Sequence, residues 1–181
     1  MKTIRWVLLV LAGFWCPSAM PQVTNSPVVA TGGNRVSTFL RKTLAQRSKE
    51  LVEAAAEMPP EKYGFKTPPD DVTFGYLTLH IADGNYLYCS FIGGVAAPKL
   101  SQLSESDPKK VLIERIQSSF DFCTTAVANL DDSHMGEVLT IGETKASRSM
   151  AVLTLASSWA THYELQQKYL ALNGYSAAAA K

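Results

Sequence analysis

The chain has 181 residues, 46% of them hydrophobic, and a formal net charge of +1 at pH 7. That length suits one domain plus a short extension, with enough apolar side chain for a sizeable core. The near-neutral charge, without a basic patch, argues against nucleic acid as a partner and gives no electrostatic reason to sit on anionic lipid.

Residues 1–19 read as a secretory signal peptide. Lys2 and Arg5 precede an apolar run over residues 6–15, shorter than the roughly 20 residues a membrane span needs. Ala19 suits the end of such a signal, whereas Pro17 does not suit a cleavage motif. Two alternatives stay open: a lipid anchor at Cys16, although Trp15 precedes it where a small residue is wanted, and an uncleaved anchor. Losing Lys2 and Arg5 leaves 15 basic against 16 acidic side chains, a net charge of −1. The expectation is an exported protein, periplasmic or extracellular, with no stable membrane span once the signal is cleaved. Residues 20–33, rich in Pro, Gly, Ser, Thr and Asn, read as a disordered leader.

Four helices are expected over residues 34–176, followed by a frayed tail at 177–181. The first runs from about Asn34, which can cap it, to Met58, where Pro59 and Pro60 stop it. Val36, Leu40, Leu44, Leu51 and Ala55 recur along it at helical spacing. Its charged face (Arg41, Lys42, Arg47, Lys49, Glu50) is mixed in sign and reads as solvated surface. The second runs from an N-cap at Thr73 to Ile92, before Gly93 and Gly94, with Phe74, Leu77, Ile81, Tyr88 and Phe91 as its apolar stripe. The third opens at Asp107 and Pro108, carries Val111, Leu112, Ile116, Phe120, Cys123 and Val127, and ends near Asp131. The fourth starts near Thr144 and ends at Asn173 and Gly174, with Val152, Leu155, Trp159, His162, Leu165 and Tyr169 inward. No strand-period alternation and no internal repeat stands out, so the class is all-α, most simply a four-helix bundle. The connectors are each about a dozen residues long, more than antiparallel neighbours need, so at least one crosses over along the bundle.

His80 lies on the second helix and His162 on the fourth, each on or near an apolar stripe. A lone histidine in such a stripe reads as a neutral, hydrogen-bonded residue at the edge of the core. Two of them on different helices also suit a metal site, because bundles build such sites from inward side chains. A helix places residues i and i+4 on one face, so a metal site would want another histidine four before His162. That position is Ser158, a neutral and weak ligand for zinc. No Gly-rich phosphate loop and no serine-hydrolase elbow is present in the sequence. The aromatic residues Tyr86, Tyr88, Phe91, Phe120 and Phe122 read as packing, some of them above His80 where they would line a small-molecule pocket. Trp159, beside the Ser158 position, reads as filling space there.

The stretch EMPPEKYGFKTPPDDVTFGYLTLHIADGNYLYC, the later SSFDFC and the final HYELQQKYLALNG together resemble the DinB-like (DinB/YfiT) superfamily over about residues 35–176. The resemblance implies a four-helix bundle in up-down-down-up order. It also implies a divalent metal, such as zinc or nickel, held by one histidine of the second helix and an H-x-x-x-H pair of the fourth. Several members are thiol-dependent transferases or isomerases that use small thiols such as bacillithiol or mycothiol, and others have no known activity. Position by position, His80 matches the second-helix ligand and His162 the second histidine of the pair, while Ser158 stands where the first is expected. Glu164 and Leu165 also replace the glycine and glutamine often found after that histidine.

Asp83, one turn from His80, is the candidate substitute ligand, with a helix-surface charge or a hydrogen bond to a ligand histidine as its ordinary roles. His134, between Asp132 and Glu137, reads as exposed and is a weaker ligand candidate. The up-down-down-up order would bring Cys89 and Cys123 to similar heights on parallel helices. They then form either a disulfide or two small buried hydrophobes. The resemblance allows a homodimer, and no residue pattern decides for or against it. The reading that follows is an exported DinB-like bundle of uncharacterised role, a binding or structural module with a degenerate metal site and an unknown small-molecule ligand. The alternative is a divalent-metal-dependent transferase or hydrolase using His80, His162 and a substitute third ligand. A catalytic residue is not identifiable, and zinc or nickel is the only cofactor the resemblance suggests.

Overall fold

The computed structural model describes residues 33–67 and 72–175. The expected signal peptide, nearly all of the leader and the tail at 177–181 lie outside the described residues. Helices α1 (Arg35–Glu57), α2 (Phe74–Gly93), α3 (Lys109–Ala126) and α4 (Arg148–Leu172) form a four-helix bundle. No helix of the described residues is long and apolar enough to cross a membrane.

The helix directions follow from their side-chain contacts. Along α2 and α3, Asn85 meets Ser119 and Cys89 meets Cys123, so the two run parallel. The start of α4 bonds the end of α2, through Arg148 to the Phe91 and Ile92 carbonyls. The end of α4 meets the start of α2, where the Tyr169 hydroxyl donates to the Val72 carbonyl. These two therefore run antiparallel. Lys109 at the start of α3 donates to the Ala56 carbonyl at the end of α1 (2.6 Å), and Arg41 near the start of α1 donates to Leu130 beyond α3 (2.9 Å). This pair is antiparallel too, which completes an up-down-down-up order. The connector over residues 94–108 must run back along the bundle to start α3 beside the start of α2. A 20-residue helix is about 30 Å long, within reach of a chain that extends at about 3.3 Å per residue.

The heptad-like stripes meet in one core. Leu40, Leu44 and Leu51 of α1, Phe74, Leu77, Ile81 and Ile92 of α2, Leu112, Ile116 and Phe120 of α3, and Val152, Leu155, Trp159 and Tyr169 of α4 are all buried. Burying each such side chain stabilises by about 1.5–3 kcal/mol. The expected caps at the start of α2 and the end of α4 are present. Thr73 Oγ1 accepts from Tyr76 N at 3.0 Å, and Gly174 takes the left-handed conformation (φ 80°) after α4.

Four details differ from the sequence expectation. Asn34 does not cap α1. Instead its Oδ1 accepts from Asp132 N (3.0 Å), and the Asp132 carboxylate accepts from Val36 N and Ser37 N, both at 2.8 Å. Asp107 does not cap α3, because its carboxylate is taken by Ser104 N at 2.7 Å in the preceding turn. The third helix ends at Ala126, not near Asp131. The chain also contains an antiparallel hairpin, β1 (Val138–Ile141) and β2 (Thr144–Ser147), so α4 begins at Arg148 and not at Thr144. Gly142 supplies the positive φ (60°) that the two-residue hairpin turn requires.

Candidate functional site

Helix α2 carries Tyr76, His80, Asp83 and Leu87 at spacings of three and four, and therefore on one outward face. Antiparallel α4 lays Leu155, Ser158, Trp159 and His162 beside it. Between them lies a cavity of about 590 Å³, closed partly by Tyr88 and by Leu103 and Glu105 of the 94–108 connector. That volume lies within the range of small-molecule sites.

The two histidines meet in this cavity. The His80 and His162 ring centroids are 5.1 Å apart and the rings are edge to face. Tyr76, one turn before His80, stacks on its ring at 5.8 Å with the planes 11° apart. Ser158 Oγ shares a hydrogen bond with His162 Nδ1 at 3.2 Å across one turn of α4. Burial, and then the charge of His80, hold His162 below its ordinary pKa of 6.5, which favours the neutral ring. A neutral imidazole keeps one ring nitrogen as an acceptor and the other as a donor.

The floor is set by a chain of buried polar groups. Trp159 is buried and its Nε1–H donates to Asn85 Oδ1 at 2.6 Å. Asn85 Nδ2 donates to Ser119 Oγ (3.0 Å), and Ser119 donates to the Ile116 carbonyl (2.7 Å). Trp159 thus occupies the space beside Ser158 and presents only carbon to the cavity. Sequence reasoning missed Asn85. Its signal was a single amide between Ile81 and Cys89 on a buried stripe, and a buried amide must find partners.

The remaining candidates divide. Asp83 lines the same cavity, but its carboxylate is 64% exposed and pairs through Oδ1 with Arg115 at 3.6 Å. His134 is not brought to the cleft. It lines a separate cavity with Asp131 and Arg148 and bonds Glu137 Oε1 at 2.6 Å. That hydrogen bond and the Glu137 charge raise its pKa above 6.5. Cys89 and Cys123 are joined in a buried disulfide, Cα atoms 5.1 Å apart, beneath the Asn85 layer. Tyr88 lines the cavity, whereas Tyr86 packs on Phe122 and Phe120 on Trp159.

A three-histidine metal set does not fit these residues. Among the described residues, no three His, Cys, Asp or Glu side chains stand together as a metal set. The hydroxyl at position 158 is a weak, neutral donor already bonded to His162. What remains is a cleft with two imidazoles, one hydroxyl, aromatic walls and a rim bearing two carboxylates.

The fold and the two histidines can be set beside known proteins. A solved structure described as a conserved protein of a locus from Enterococcus faecalis is similar to this chain, with a TM-score of 0.60 and 13% identity. The match covers 74% of this chain and 94% of that one, and at this identity it speaks for the fold alone. No curated protein matches the chain. The sequence model of the DinB superfamily matches residues 43–165, a span that takes in most of α1, all of α2 and α3, and α4 through both Ser158 and His162. With that match over more than half its length, on a bundle of the expected order, the chain belongs to the DinB superfamily.

Proposed function

We propose that this protein is an exported DinB-like binding module whose cleft between α2 and α4 takes a small molecule, and whose metal site is degenerate. The observation that carries the reading is Ser158. It stands where the family resemblance expects a histidine and is hydrogen-bonded to His162, so the cavity keeps two imidazoles but lacks a third ligand. Catalytic zinc sites generally use three protein ligands plus water. Export is supported by the signal-like residues 1–19 and by the buried Cys89–Cys123 disulfide, a bond that persists in oxidising compartments. Outside the cytosol the protein would not meet the small-thiol pool that several family members use.

The contact between His80 and His162 favours a second reading, a divalent-metal-dependent transferase or hydrolase whose third ligand comes from Asp83 or from the ligand itself. Elemental analysis of untagged protein from the periplasm separates the two. Substoichiometric zinc and nickel after incubation with excess metal and a wash is the expected result. About one metal per chain would overturn the binding-module reading in favour of the metal-dependent one.

A further inference from the structure

We infer that the α2–α4 cleft selects an organic ammonium ion with a flat apolar body over anionic and neutral molecules of the same shape. This inference rests on the small-molecule reading of the cleft and names the class of its ligand.

The lining is one-sided in its carboxylate and ammonium or guanidinium side chains. Among the described residues around the cavity there is no lysine or arginine, whereas Asp83 and Glu105 both stand on its rim. Arg115 offsets part of the Asp83 charge from the far side, where it is also anchored to the Ser101 carbonyl at 2.5 Å. Glu105 has no ion pair among the described residues. Its position is fixed by the backbone, because Gly75 lets the Glu105 carbonyl oxygen press against α2 where any Cβ would clash. Ser158 Oγ and His162 Nδ1 share one hydrogen bond at 3.2 Å, so neither brings a formal cation to the inner end. The two strongest donors beneath are already used, Trp159 Nε1–H on Asn85 and Asn85 Nδ2 on Ser119.

An anion entering this space would lose water and meet two carboxylates and no lysine or arginine among the described lining residues. An ammonium group meets the carboxylates and the rings of Tyr76 and Tyr88, which line the cavity; an aromatic quadrupole attracts a cation within about 6 Å. The apolar body of the ligand has Leu87, Leu103, Leu155 and the Trp159 ring to cover it.

The test compares 2-phenylethylammonium, 2-phenylethanol and phenylacetate at neutral pH on chelator-treated, untagged protein. It uses calorimetry and the imidazole C–H signals of the three histidines. The expected result is that the ammonium ion binds at least about tenfold tighter than phenylacetate, and tighter than the alcohol. The His80 and His162 signals shift on saturation and that of His134, in its separate cavity, does not. Glu105→Gln then lowers ammonium affinity about threefold and leaves alcohol binding unchanged. Equal binding of alcohol and ammonium, or phenylacetate binding as tightly, overturns the inference and leaves the cleft reading standing. If none of the three shifts His80 or His162 at millimolar concentration, both fall.

Discussion

Ser158 is the residue on which the cleft's chemistry turns. Its side chain lies one helical turn from His162 and 3.2 Å from His162 Nδ1, while His80 meets His162 edge to face. A histidine at 158 would complete a three-nitrogen set on two helices. Ser158→His should therefore raise zinc or nickel affinity by at least about tenfold, read by calorimetric titration. Unchanged affinity would mean that His80 and His162 do not converge in solution. The two histidines were legible in the sequence because the helical period fixes which face each occupies. Their floor was not. Asn85 could be recognised as a polar group in an apolar stripe, but its partners lie 34 residues away at Ser119 and 74 away at Trp159. Only the packing of three helices brings them together. Arg115, which draws off Asp83, was hidden for the same reason: the pair joins α2 to α3 and has no local spacing.

At the level of elements, local signals read well and distant ones did not. Thr73 caps α2 and Gly174 follows α4 because each acts on backbone groups within a few residues. The cap of α1 comes from Asp132, 95 and 96 residues away, through two backbone N–H groups. The hairpin was missed because each strand has four residues, its outermost apolar residue Val138 is 70% exposed, and β2 runs directly into α4. The Asp132 cap has a pH signature. Desolvation raises its pKa, but the Ser37 and Val36 N–H groups outweigh it and hold the carboxyl below the ordinary 3.8. Folding thus favours the ionised form. The contribution is complete above about pH 3.8 and is lost as pH falls through the lower folded value. Asp132→Ala should lower the melting temperature at neutral pH, and the gap to the wild type should narrow in acid. A gap that stays constant from pH 7 to well below 3.8 would assign the loss to packing, not to the charged cap.

Across the whole molecule, the order of the helices depends on keeping α2 and α3 parallel although they are consecutive. Parallel neighbours need a long return connector, and three contacts hold the pair in register along its length. Glu105 seats the connector on Gly75, Asn85 bonds Ser119 midway, and at the far end Gly93 lets the Ala126 carbonyl come so close that a Cβ would clash. The disulfide lies between the last two and closes a separation of 34 residues. Constraining such a loop in the unfolded chain is worth about 2–4 kcal/mol. The double variant Cys89→Ala/Cys123→Ala should therefore unfold in urea at a clearly lower midpoint, its fold retained because Asn85 and Gly93 still set the register. Both sulfur atoms are buried, with the residues only 1% and 0% exposed, so a thiol reductant reaches them only when the bundle opens. Reduction of the wild type by dithiothreitol in native buffer should then proceed no faster than global unfolding, followed by thiol alkylation against hydrogen exchange of the α2 and α3 amides. Faster reduction would show that the far end of the α2–α3 pair opens on its own. The register would then be held from the Asn85 layer toward the connector, at the level of the cleft.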